Sequence, residues 1–317
     1  MHGAKRAIVG ASVAVLILAL AVGMTAAQQP AQQPQPRPEG MDIQGMWNHT
    51  DLMTEERATL INAVGGGAKI GDYTGFPLND AGRQWADSWM MARMEMPEHQ
   101  CHPHPAQYSL WGPGHFRITN ILEPQTDRII GLRLSGTFGR ADRTMWLDGR
   151  PGPPEYARHT WSGFSSGKWD GNMLTVDVTH LKEGWFSRNG IMASDHSTMR
   201  EHYIRHDNYL TVIFVVNDPE HLEEPLIRTT QAAYDPTVQL GPQECQPFNT
   251  NVINANRPRD YVPHWLPGKN PGLGEFPAKY GVPEEAARGM PRTLYPEYMA
   301  EIKKWMQTRK VAATSSK

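Results

Sequence analysis

His159–Leu181, HTWSGFSSGKWDGNMLTVDVTHL, is the stretch whose reading decides the fold. Asp170-Gly171 can supply the positive φ angles that a tight hairpin turn demands. The returning strand, Met173 to His180, alternates with period two: Leu174, Val176 and Val178 lie on one face, Thr175, Asp177 and Thr179 on the other. The apolar face is the one expected to turn inward. His180 continues it, so an imidazole is expected at the buried end of the strand, meeting a hydrogen-bond partner or a ligand.

The same alternation recurs on both sides of this hairpin. Upstream it runs through Phe116, Ile118 and Leu122, then Ile130, Leu132 and Leu134, then a short strand around Thr144 to Leu147 that ends in the turn Asp148-Gly149-Arg150-Pro151. Downstream, Ser197–Arg205 and Tyr209–Val216 are joined at Asp207-Asn208, and Leu226–Ala233 follows. Met41–Trp47 reads as a first strand with Ile43 and Trp47 on one face. This succession predicts a mainly β fold, an antiparallel meander closed into a lipocalin-like barrel. Flanking helices are expected over Asp51–Ala63, ended by Gly65-Gly66-Gly67, and over Ala81–Glu95, capped by Asn79. Trp85 and Trp89, one turn apart and followed by Met90, Met91, Met94 and Met96, read as a helix lying over the mouth or flank of a sheet rather than as a cofactor box. Tyr295–Thr308, with Tyr298, Ile302 and Trp305 along one side, reads as a terminal amphipathic helix.

The chain opens with Lys5 and Arg6, an apolar run from Ala7 to Val22, and the small residues Thr25-Ala26-Ala27. That order is a secretory signal peptide, with cleavage expected after Ala27; an uncleaved anchor is the alternative that the small residues oppose. The expected organisation is residues 1–27 signal peptide, 28–40 disordered Pro/Gln linker, 41–248 β-barrel with helical insertions, and 249–317 a wrapping tail ending in a helix. The expected address is periplasmic or secreted, with no stable membrane span after cleavage. A mature charge of −4 without any basic run argues against nucleic acid as a partner. Cys101 and Cys245 are the only cysteines, and in an exported chain they are expected to form a disulfide.

Asp42-Ile-Gln-Gly-Met-Trp, Asp148-Gly-Arg-Pro, the Trp161–Asp177 stretch and Asp218-Pro, in that order, resemble a large family of exported, functionally uncharacterised β-rich bacterial proteins, abundant in soil and other environmental bacteria. The resemblance covers roughly residues 42–251 and includes a Cys on either side of the strand region. This chain departs from it at Asn172, where relatives often carry Asp, and in the His-rich 196–202 segment. The resemblance implies the domain and its exported address, and no reaction.

Strand parity puts Asn120 on the Phe116/Ile118 face, His180 on the Leu174/Val178 face and Glu201 with Met199 and Tyr203, while His159 and Trp161 stand at the other end of the central hairpin. The leading expectation is a cavity that binds a small, partly aromatic or apolar ligand against Trp161, Asn120, Tyr203 and Met199. The second is a cofactor-independent lyase, isomerase or hydrolase, with Glu201 and His180 dividing acid and base roles and His159 or Asn120 orienting the substrate. The alternative for the same residues is a buried polar network that fixes strand register. A third reading gathers His99, Cys101, His102 and His104 around a metal, although no familiar metal spacing is present and Cys101 is expected to be oxidised. His196, His202 and His206 share a face with Arg200 and read as solvated surface. No cofactor is implied, and whether the chain is an enzyme stays open.

Overall fold

The computed structural model describes residues 42–49, 69–96, 101–110, 114–137, 139–241, 258 and 260–315. The signal peptide, the Pro/Gln linker, the 51–63 helix, His99 and Cys245 lie outside them.

The chain builds β1 (Gly45–His49), β2 (His115–Leu122), β3 (Ile129–Gly136), β4 (Arg143–Trp146), β5 (Phe164–Asp170), β6 (Met173–Thr179), β7 (Gly184–Ser187), β8 (Ile191–Ala193), β9 (Thr198–His206), β10 (Tyr209–Asn217) and β11 (Leu226–Tyr234). Nine of these close into a barrel in the order β1-β11-β10-β9-β6-β5-β4-β3-β2, and β7 and β8 form a hairpin of their own. A mainly β barrel with flanking helices was expected; a pure antiparallel meander was not what formed. β4 and β5 run parallel, with Met145 opposite Ser165 and Trp146 opposite Ser166. A parallel pair needs a long connection, and residues 147–163 supply it.

The central hairpin forms one residue later than its Asp-Gly pair suggests. Asp170 pairs with Met173, so the loop is Gly171-Asn172, with Gly171 at φ 56° in the first loop position, where a two-residue turn favours glycine. The strand parity is as expected: Leu174, Val176 and Val178 are buried. His180 breaks it. Its backbone turns left-handed at φ 56°, past the end of β6, and this carries the side chain off the inward face.

Trp47, Phe116, Ile118, Leu132, Leu134, Met145, Met199, Tyr203, Val212 and Phe214 belong to one continuous core of buried side chains. Tyr73, Phe76, Leu78, Phe186 and Ile191 extend that core over one end of the barrel, where Leu78 bridges Leu222. Of the residues expected to line a ligand cavity, Met199 and Tyr203 belong to this packed core. Asp218, buried, accepts from the Ser194 amide (2.6 Å) and hydroxyl (2.7 Å) and from the amides of Glu220 and His221, tying the β7–β8 hairpin to the end of β10.

Helix α1 (Asp80–Ser88) starts where expected: the Asn79 side chain accepts from the Gly82 amide at 2.9 Å. It stops sooner, because Trp89 is extended, and a 3-10 turn, Met91–Glu95, follows. Trp89 packs edge-on against Trp185 of β7 at 6.2 Å, with Met192 and Trp85 beside them, so the aromatic face lies on the flanking hairpin. Beyond the short helix α2 (Ala106–Ser109) and the strands, α3 (Gly272–Tyr280), α4 (Glu284–Ala287) and α5 (Pro296–Ser315) enclose a second core of Phe276, Val282, Met299, Ile302 and Met306. Arg288 forks onto Asp87 of α1 at 2.6 and 2.7 Å and anchors this tail. Among the described residues no helix is long and apolar enough to cross a membrane.

Candidate functional site

On the inward face of β9, Met199, Glu201 and Tyr203 alternate as expected, all buried. What they meet is Arg143 of β4. Its Nη1 donates to Glu201 Oε1 at 2.8 Å, its Nη2 to Glu201 Oε2, and its Nε to Ser165 Oγ of β5 at 2.9 Å. Burial works against the Arg143 charge, and the facing Glu201 carboxylate more than restores it, so the guanidinium stays firmly protonated. The Tyr203 hydroxyl is buried nearby, and burial together with the Glu201 charge pushes its ionisation well above the ordinary tyrosine range. This is a structural lock: both carboxylate oxygens are committed, and β4, β5 and β9 are joined through the barrel.

His180 is elsewhere. Its Nε2 lies 3.0 Å from the Pro154 carbonyl and its Nδ1 2.8 Å from Thr179 Oγ1. A carbonyl only accepts, so Nε2 carries the proton. His159 packs edge-on against it at 5.3 Å and donates from Nδ1 to the Leu181 carbonyl at 2.9 Å. The structure thus brings His159 and His180 together, and brings Met199, Glu201 and Tyr203 together, with no direct hydrogen bond joining Glu201 to His180. Asn120 is half-buried on β2 opposite Leu132, its amide donating to Gln44 Oε1 at 3.1 Å. His102 lies against Trp161 at 5.0 Å and His104 edge-on to Tyr108 at 5.0 Å. Among the described residues no three His, Cys, Asp or Glu side chains converge as a metal site. Cys101 is exposed, with φ 59°.

Two clefts of the described residues lie along the parallel β4–β5 seam. One cleft, of about 360 Å³, is lined by Asp142, Thr144, Trp146, Thr160, Trp161, Ser162 and Phe164 among others. Alternation puts Thr144 and Trp146 of β4 and Phe164 of β5 on the outer face, opposite the buried Arg143, Met145 and Ser165. Trp161 is held by the turn before β5. Thr160 is bridged to Leu181, the Gly163 amide donates to the Thr160 carbonyl at 3.2 Å, and the Trp161 carbonyl accepts from Ala106 at 3.0 Å. Gly163 sits at φ 63°, and a Cβ there would lie 2.5 Å from the Thr179 carbonyl oxygen, so no other residue fits without displacement.

Cations already attend both indoles. The Arg150 guanidinium lies 3.4 Å above the Trp146 ring centre, and the Lys182 ammonium 5.1 Å from that of Trp161. Arg150 in turn grips Asp148 at 2.6 Å and holds its carboxyl well below the usual range. Asp142 is paired with Arg133, and its carbonyl accepts from Ser162 Oγ at 2.8 Å.

A second cleft, of about 650 Å³, continues along β5 and is lined by Leu147, Gly149, Ser166, Gly167, Lys168, Trp169, Asp170, Thr175 and Asp177. Here β5 outruns β4: the Leu147 amide makes the last rung of the β3–β4 ladder with the Ile130 carbonyl at 2.9 Å, and β4 ends there while β5 runs on to Asp170. Asp170 and Met173 flank the hairpin loop as a directly opposed pair, so alternate residues up the strand face β6; the Gly167 amide is taken by the Trp146 carbonyl in the parallel ladder, which leaves the Gly167 carbonyl and the main-chain groups of Trp169 toward the cleft.

Trp161 alone of the expected ligand-binding residues lines these clefts. Arg143 and Trp146 went unread because the short strand was begun at Thr144; the inward parity of Met145 was the signal that puts Arg143 inside and Trp146 outside. Compared with family models, with curated proteins and with solved structures, the chain matches none.

Proposed function

We propose that this chain is an exported binding protein whose rigid barrel displays, on its outer wall rather than in its interior, a site for a small, partly aromatic or apolar ligand. The observation that carries this reading is the first cleft, where Trp146, Trp161 and Phe164 stand beside Asp142 and the hydroxyls of Thr144, Thr160 and Ser162 on a strand seam. The stretches that carry the family resemblance, Asp148–Pro151 and Trp161–Asp170, both contribute to this seam. A binding role is better supported than acid-base catalysis by Glu201 and His180, since the Glu201 oxygens are held by Arg143 and the His180 nitrogens by Thr179 and Pro154. Export follows from the order of Lys5, Arg6, the apolar run and Thr25-Ala26-Ala27, and a Cys101–Cys245 bridge suits the oxidising compartment.

The test is a thermal-shift screen of the mature protein against aromatic, terpenoid, phenolic and polyhydroxylated compounds, followed by titration of tryptophan fluorescence. A hit whose saturation is lost in Trp161→Ala, with the fold retained by circular dichroism, supports the reading. No shift from any class, or hits indifferent to Trp161→Ala, sinks it.

A further inference from the structure

The two clefts are successive parts of one trough. Ser162 to Ser165 line the first and Ser166 to Asp170 the second, while Trp146 and the next residue, Leu147, make the same handover on β4. A compact ligand needs only one of them. A ligand that uses both is extended and lies along the strands.

The lining narrows its chemistry. Aromatic walls at Trp146, Trp161 and Phe164 alternate with the hydroxyls of Thr144, Thr160 and Ser162, and further along come Ser166, Thr175, the Gly167 carbonyl and the main-chain groups of Trp169. Arg133 pairs with Asp142, Arg150 with Asp148, and Arg200 with Asp177 at 2.6 Å, and the exposed Lys168 and Asp170 that also line the second cleft carry opposite charges, so the trough has no net sign. An anion would have to compete with those carboxylates, and a cation would meet Arg150 and Lys182, already over the indoles. The hydroxyls of Ser162 and Thr175 already have protein partners, the Asp142 carbonyl and His202, but each keeps spare hydrogen-bonding capacity that a purely apolar molecule would leave unused. With Arg150 stacked on Trp146, a sugar ring fits beside it: its C–H groups of slight positive character suit the negative face of the Trp161 or Phe164 ring, and its rim of hydroxyls both donates and accepts.

We propose that the β4–β5 seam binds a neutral oligosaccharide, with one unit against the aromatic walls of the first cleft and the following units along β5 over Ser166, Gly167 and Thr175. This rests on the seam being the binding site and names the class of its ligand. The second cleft supplies chain-length dependence: each unit that reaches it adds hydrogen bonds to hydroxyls, to the Gly167 carbonyl and to the main chain of Trp169.

The experiment uses the full mature chain on an array of neutral and acidic glycans, followed by calorimetric titration of the best neutral glycan and its shorter fragments. The expected result is retention of neutral glycans, with affinity rising at least tenfold from one to four units. Trp161→Ala or Thr144→Val should weaken every length, and Thr175→Val should leave the single unit unchanged while removing most of the gain with length. Selective retention of acidic glycans overturns the proposal, as does affinity that is flat with length. Glycan binding insensitive to all three substitutions overturns it and the seam together. If no glycan binds while an aromatic compound does, with loss in Trp161→Ala, the sugar assignment falls and the site stands; if nothing binds at all, the site falls as well.

Discussion

Arg143 and Glu201 place a full ion pair inside an apolar barrel, and such a pair is informative mainly through what happens when half of it is removed. Arg143→Met leaves the Glu201 carboxylate buried without its partner, and the expected loss is about 3–5 kcal/mol. The double substitution with Glu201→Leu removes the charge as well and should recover most of that loss. Urea unfolding of the three proteins decides it; a double variant as unstable as the single one would mean that the pair is worth more than its packing volume. Asp72 offers a second test, through pH. Its Oδ1 accepts from the Thr74 amide, and burial pushes its carboxyl up to about 6. The folded state therefore keeps a proton that the unfolded chain gives up near the ordinary aspartate range. The associated stability is fully present below that range and is lost as pH rises through about 6. Asp72→Asn should abolish this dependence, gaining about 2–3 kcal/mol over wild type at pH 7.5 and almost nothing at pH 4. Unfolding midpoints at the two pH values check the sign.

At the scale of elements, what was legible in the sequence is what one strand or one hairpin determines by itself. Leu174, Val176 and Val178 face inward because period-two alternation is a local property, and Asp207-Asn208 joins β9 to β10 because the turn residues are local too. Asn79 caps α1 for the same reason. His180 was misread because parity fails when one residue turns left-handed, and nothing in its identity announces that. The parallel register of β4 on β5 was not legible, because a pairing across residues 147–163 leaves no trace in either strand's periodicity. The clefts went unread with it, since they exist only where those strands meet. Gly163 is the element-scale test of that seam. Gly163→Ala forces a side chain against the Thr179 carbonyl at positive φ and should cost about 2 kcal/mol or more in thermal or urea unfolding. It should also weaken any ligand held by Trp161; an alanine variant of wild-type stability would show that the turn relaxes freely.

For the whole molecule, the proposed Cys101–Cys245 bridge closes most of the barrel into one loop, which the chain-entropy model credits with about 5 kcal/mol. Reduction should lower the urea midpoint accordingly, and the denatured mature chain should gain two mass units on reduction; an unchanged mass would remove the bridge. The barrel itself is unevenly joined around its circumference. β9 and β10 pair along their whole length, from Thr198 opposite Asn217 to His206 opposite Tyr209, whereas β4 and β5 meet only where Met145 and Trp146 face Ser165 and Ser166. A closed barrel has no free edges, and this narrow joint is what keeps it so. If the joint opens, the ring becomes a sheet with two unsatisfied borders, one along β4 and one along β5, each able to recruit a strand from another copy. The trait that gives the outer wall its groove thus also sets where the ring is most open to self-association while it folds, and a ligand bound as proposed across the seam would close that gap.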